Sequence, residues 1–434
     1  MRRYVAALVV LLPWVACASP RPPEPAPAAP PAAASTAPPV AASAPDAGAE
    51  GGSVTSSGVR FEDDLAFLKA HGDVTVLSAS TGGRVVLSAD YQGRVMTSAV
   101  GPGGASLGWV HRAFIAKGET GTAFDNYGGE DRFWLGPEAG PFGLYFPPGA
   151  AFTIDTWQTP HAMQEGAWAV TSSTASSVTF RREMTVESYA KTKLSLAVDR
   201  TVRLLDAGAI RAKLDVEVPA SVSWVAFESD NKVTNAGPKA WTKATGLPSI
   251  WILAMYAPSA DARAVLPFSG DPGAAGPSGV VNDRYFGVVP ADRLRIDRDK
   301  HVVVFTCDGK LRSKIGLGPA RAREVLGSYS ASARLLTIVH YDKPAGVTDY
   351  VNSMWEKQRE PFAGDVVNSY NDGPVAPGKP PLGGFYELET SSPALALAKG
   401  ASARHVHRTF HFVGDRDALE PIAKKVLGVS LSEL

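Results

Sequence analysis

The sequence predicts an all-β protein, a large antiparallel β-sandwich with a few short helices. Apolar and polar residues alternate at period two along many segments, as half-buried antiparallel strands require. Helical spacing is scarce, confined to three places. The 434 residues are 45% apolar and 9% aromatic, enough to fill a large core, so the chain as a whole is not disordered.

Along the chain, Phe61–Ala70 carries the first helical pattern, and strand patterns follow at Val74–Leu77, Arg84–Leu87 and Arg94–Ser98. The clearest alternation runs from Leu194 to Leu204, where every second residue is apolar apart from Arg200. Phe180, Met184 and Val186 alternate likewise with Arg181, Glu183, Thr185 and Glu187. Ser188 to Thr192 is short enough to join these two strands as a hairpin. Further strands are predicted at Ala212–Val218, Val222–Glu228, Ile250–Ala257, His301–Thr306, Arg334–Tyr341, Phe385–Glu389 and His405–Val413. Val347, Tyr350, Val351, Met354 and Trp355 are spaced i, i+3, i+4, i+7, i+8, which predicts a helix, as does the tail Ala418–Leu427.

The 43 Lys and Arg balance 43 Asp and Glu. A neutral chain offers no basic footprint, so no nucleic-acid partner is expected. Two cysteines exclude a disulfide framework and an all-cysteine zinc site. Cys307 follows the apolar run Val302-Val303-Val304-Phe305 and reads as a buried small hydrophobe.

Arg2 and Arg3 precede an apolar run, Tyr4 to Val15, that is too short to span a bilayer. Its end, Val15-Ala16-Cys17, resembles the bacterial lipobox, with Trp14 in place of the usual Leu. The resemblance implies residues 1–17 as a lipoprotein signal peptide, lipid on Cys17 and a membrane partner reached through it. The alternative is an ordinary cleaved signal. Ala18 is not the Asp of inner-membrane retention, so the expected address is the cell envelope, lipid-anchored at the outer membrane, facing periplasm or cell surface. Ten of the 34 prolines fall between Ser19 and Pro45, so residues 18–58 read as a Pro/Ala/Gly/Ser-rich disordered tether. Residues 59–434 then form one domain.

Two segments carry a wider resemblance. Tyr127-Gly-Gly-Glu-Asp-Arg-Phe-Trp-Leu-Gly-Pro-Glu138 is similar to a Gly-Gly…Arg-x-Trp…Pro-Glu segment of aldose-epimerase-like proteins. Phe385–Glu389, Ser392-Pro393, Leu397–Gly400 and a strand with His407 resemble the closing segment of that superfamily. With Gly364–Gly373, the body resembles an uncharacterised bacterial family of secreted proteins and lipoproteins with a galactose mutarotase-like β-supersandwich. The resemblance implies a saccharide ligand, no cofactor, and a candidate catalytic base at Glu389. Galactose mutarotases carry their acid in an Asn-His-aromatic motif, and no Asn-His pair occurs here. An acid thus has no match, and whether the protein is an enzyme stays open.

Acid/base work on a sugar needs ionisable groups facing one pocket. Glu387 and Glu389, two apart on a strand, share a face, either around a site or in solvent. Arg132, Trp134 and Glu138 offer charge beside an aromatic plane, as sugar sites do. In the alternative, a glycine-flanked loop pairs its Arg and Glu while Trp134 plugs the core. Asp365 to Asp372 reads as a loop of turn chemistry in which Asn368 and Tyr370 are candidate binding residues. His405, His407 and His411 share a strand face, but the last two lie ~13 Å apart, so no metal site is expected. His407 is kept as a candidate binding residue. Gly104–Gly108 matches Gly-x-Ser-x-Gly around Ser106, without the strand-turn-helix setting of a nucleophile elbow.

Overall fold

The computed structural model describes residues 58–271 and 279–434. The chain divides into Met1–Gly52, outside those residues, and Ser53–Leu434. The expected signal peptide, Cys17 and all of the tether before Gly58 likewise lie outside the described residues.

Strands pair antiparallel throughout. A three-stranded sheet joins β1 (Val74–Ser78), β2 (Arg84–Ser88) and β3 (Arg94–Ala99) under helix α1 (Phe61–His71). Next in the chain come α2 (Arg112–Lys117), β4 (Arg132–Gly136), α3 (His161–Gln164) and β5 (Ala169–Ser173). The predicted hairpin is β6 (Ser177–Glu187) and β7 (Lys193–Leu204), paired Phe180 to Arg200 and Val186 to Leu194. There follow α4 (Ala207–Leu214), β8 (Ser223–Asn235), β9 (Ser249–Tyr256) and β10 (Arg263–Pro267). Then come β11 (Leu294–Asp297), β12 (Val302–Thr306), β13 (Ser313–Leu317) and β14 (Val325–Ser330). The last elements are β15 (Leu335–Tyr341), β16 (Val367–Asn371), β17 (Tyr386–Ser391), β18 (Ser402–Val413) and α5 (Arg416–Leu427).

A ten-stranded sheet has the order β11-β12-β10-β14-β15-β18-β8-β7-β6-β5, and a five-stranded sheet the order β13-β16-β17-β9-β4. Apolar side chains from the two sheets share two buried clusters, one around Phe133, Phe180, Phe227 and Ile252, the other around Leu266, Phe305, Ile315 and Leu388. The antiparallel sandwich predicted from alternation is therefore the architecture observed. Part of the ten-stranded sheet's other face is covered by α5 through Leu419, Ile422 and Val426.

Arg200, the exception in the alternating run, occupies an inward position and is fully buried. Its guanidinium bonds Asp131 at 2.6 Å, the Gly93 carbonyl and Asn231, so it ties β7 to the start of β4. Cys307 is buried as expected, and burial pushes its thiol up to about 12. Ser106 bonds Asp64 and Thr97 inside the fold.

Three expectations are corrected. Ala212–Val218 is not a strand: α4 runs through Leu214, and its cap Asp206 accepts the Ala209 N–H at 2.8 Å. Val347–Trp355 is not a helix but a loop. Tyr350 exchanges backbone bonds with Phe362 and Gly364, so the apolar spacing reflects anchoring against distant residues. Asp365–Asp372 is not a loop, because its centre is β16, between β13 and β17. There the amides are occupied: Asn368 donates to the Ile315 carbonyl and Asn371 to that of Leu311.

Candidate functional site

Directly paired residues of an antiparallel sheet share a face. Along one row of the five-stranded sheet, Arg132 pairs with Leu253, Leu253 with Glu389, and Glu389 with Asn368. Neighbouring rows place Trp134 beside Trp251, and Met255, Glu387, Tyr370 and Lys314 in line. These residues occupy the face turned away from the ten-stranded sheet. The intervening Phe133, Ile252 and Leu388 face the core. Loops roof the outer face with Phe124, Trp157, Phe286 and Trp355, leaving a pocket of about 460 Å³ counted out to its open mouth.

Arg132, only 2% exposed, donates from Nη2 to Glu387 at 2.8 Å. Its guanidinium lies 3.9 Å from the centre of the Trp134 ring and 5.3 Å from that of Phe124. Arg132 and Trp134 are two apart on β4, which aligns them on one face. The Trp157 indole donates to Glu138 at 2.7 Å. At the mouth, Arg312 stacks 3.7 Å from the Phe286 centre and gives its Nε to the Tyr370 hydroxyl, which in turn donates to Asp372.

Burial decides the electrostatics here. It raises Glu387 to about 8, against the pull of Arg132, and lowers Arg132 in turn. Burial also raises Glu138, with Lys314 and the indole N–H groups of Trp355 and Trp157 opposing. The wall thus holds two carboxyls inclined to keep a proton.

Of the expected site residues, Arg132, Trp134, Glu138 and Tyr370 line the pocket. Arg132 pairs with Glu387 and not with Glu138, and both belong to a sheet wall and not to a glycine-flanked loop. Glu389 lies on the same face as the pocket residues but is fully buried, bonded by Lys314 at 2.8 Å and the Trp251 indole at 2.9 Å. Of the two carboxylates on that strand, Glu387 lines the pocket and Glu389 does not. Asn368 shares the face but does not line the pocket, since its amide is held by Tyr285 and Ile315. His407 is on the wrong side. It belongs to β18 in the ten-stranded sheet and meets Thr390 at 2.9 Å on the core face of β17, opposite to the pocket. His405 meets the same hydroxyl, and His411 bonds Glu130 and Thr337. Among the described residues, no group of three or more His, Cys, Asp or Glu is placed to hold a metal ion.

Sequence reasoning missed Lys314, Arg312, Trp157, Trp251 and Trp355. A signal for the first two existed: Arg312 and Lys314 alternate with Ser313, Ile315 and Leu317 at strand period. Trp251 lay on the predicted strand Ile250–Ala257, whereas Trp157 and Trp355 carried no signal, because loops distant in sequence bring them in.

A family model described as "Family of unknown function (DUF6786)" matches residues 59–434. No curated protein matches the chain. Among solved structures, it is similar to a candidate aldose 1-epimerase from Escherichia coli K12. That match has 12% identity, a TM-score of 0.45, and covers 78% of this chain and 99% of the other. It is also similar to a galactose mutarotase-like protein from Lactobacillus casei, at 11% identity and a TM-score of 0.42 over 78% of this chain and 100% of the other. A galactose mutarotase related enzyme from Lactobacillus acidophilus shows 10% identity and a TM-score of 0.43 over 79% and 98%.

Proposed function

The chain belongs to DUF6786, a family of unknown function, and on that premise we propose that its body binds a saccharide in the pocket of the five-stranded sheet. One observation carries the reading: four indole rings, Trp134, Trp157, Trp251 and Trp355, wall a cavity that also presents Arg132, Glu138 and Glu387. Sugar rings offer C–H faces to aromatic planes and hydroxyls to fixed charged groups. Thermal shift across mono- and oligosaccharides tests the reading. A sugar at a hundred times its Kd adds about 2.7 kcal/mol, and Trp355→Ala, in the roof, weakens it about tenfold, ~1.4 kcal/mol. No shift with any sugar at millimolar concentration sinks it.

The raised Glu138 and Glu387 support a second reading, acid/base processing of the bound sugar. Glu387→Gln then binds sugar but loses any anomer interconversion that NMR detects in the parent. A parent that binds without interconverting its ligand is a binding protein alone, which leaves the sandwich as a non-catalytic interaction surface.

The N-terminal sequence supports a place in the cell envelope, with lipid on Cys17 holding the body at a membrane. Mass spectrometry of the mature protein then finds an acylated Cys17, and Cys17→Ala releases the protein from membranes. An unmodified N-terminus elsewhere overturns the anchor.

A further inference from the structure

The pocket's polar groups are unevenly used. Glu387 is engaged by Arg132 and Glu138 by Trp157. Arg132 itself, 2% exposed and part of the wall, keeps Nε and Nη1 buried without a partner among the described residues. A buried donor without an acceptor is costly, more so when charged. Arg312, at the mouth, has as its one hydrogen bond among the described residues that from Nε to Tyr370. The nearby orphan acceptor, Oε1 of Glu389, belongs to a fully buried residue outside the pocket lining. The guanidinium groups of the wall thus keep free donor capacity, beside the second oxygens of Glu138 and Glu387.

A sugar hydroxyl satisfies such donors poorly, because it brings a proton that needs an acceptor of its own. A carboxylate, phosphate or sulfate brings only acceptors, and meets guanidinium through charge-assisted bonds. Burial also inclines Glu138 and Glu387 toward their neutral forms, which removes repulsion toward an anion.

Building on the saccharide reading, we propose that the ligand is an acidic sugar whose anionic group seats on Arg132, with Arg312 drawing it in at the mouth. The chemistry required is an oxyanion on a sugar ring, as in a hexuronate, a hexose phosphate or a sulfated hexose. Arg132 is the buried anchor and the indole rings hold the ring plane beside it.

Calorimetric titration of the full chain with galactose, glucose, galacturonate, glucuronate, glucose 6-phosphate and glucose 6-sulfate separates the cases. One acidic sugar should bind at least tenfold tighter than its neutral counterpart, with the advantage shrinking as NaCl rises. The preferred arm identifies the oxyanion. Arg132→Gln should abolish the preference, but it leaves Glu387 buried without its cation and can unfold. Arg312→Gln, at a half-exposed position, should keep the melting temperature and lose severalfold of the preference. A neutral sugar binding as tightly as its acid overturns the acidic-sugar inference and leaves saccharide binding standing. Acetate, sulfate or inorganic phosphate binding as tightly as any sugar acid keeps the oxyanion seat but removes the sugar. Failure of every probe overturns both.

Discussion

Lys314 on β13 reaches across the intervening β16 to Glu389 on β17, closing at 2.8 Å with both side chains almost wholly buried. Burial makes such a pair costly to break, since a lone charge in the interior has neither water nor partner. Lys314→Met is therefore expected to lose about 3–5 kcal/mol in urea unfolding, while Lys314→Met with Glu389→Gln recovers most of it. Equal losses in the single and double variants would show that the pair itself contributes little. Glu389 was a candidate base through the family resemblance. Its position on an alternating strand was legible, but its cation lies 75 residues away and was not.

Among the elements, those built on alternation were readable and those built on side-chain hydrogen bonding were not. The strands from Phe180 to Leu204 could be drawn to their faces from the sequence. Strand β16 could not, because Asn and Asp next to glycine are ordinary turn formers. Tertiary partners, the Ile315 and Leu311 carbonyls, make its amides fit a central strand. Helix α4 shows the reverse case, where local chemistry beats the apparent strand pattern. Its cap rests on one bond, so Asp206→Ala is expected to cost ~1 kcal/mol in denaturant midpoint. Asp206→Asn should cost less, and no difference between the two would remove the cap from the account.

At the scale of the molecule, the space between the two large sheets encloses imidazoles as well as apolar groups. Burial lowers His405 to about 3 and His407 to about 4, below the ordinary 6.5. Unfolded chains take up these protons first, so the stability from neutral burial is complete above pH 6.5 and is lost as pH falls toward 3 to 4. Glu387 acts in the opposite sense. Raised to about 8, it contributes stability below about pH 4.5 that is lost as pH rises through 8. Melting temperature against pH should therefore show an acid limb that flattens in His405→Gln/His407→Gln, and a neutral-to-alkaline decline that flattens in Glu387→Gln. An unchanged acid limb in the double histidine variant would assign acid sensitivity to other groups. The fold class was readable from strand parity, and Arg132 and Trp134 from charge beside an aromatic ring, but their shared strand β4 was not predicted. The roof was not, since it is assembled from loops far apart in the chain.

That parity has an evolutionary consequence. On the strands of the five-stranded sheet, one set of alternate positions faces the core and the other faces the pocket side. Change at positions 132, 134, 251, 253, 370 and 387 can reshape the pocket while the core face stays intact. A one-residue deletion within β17 would instead exchange the two sets and forfeit both roles together.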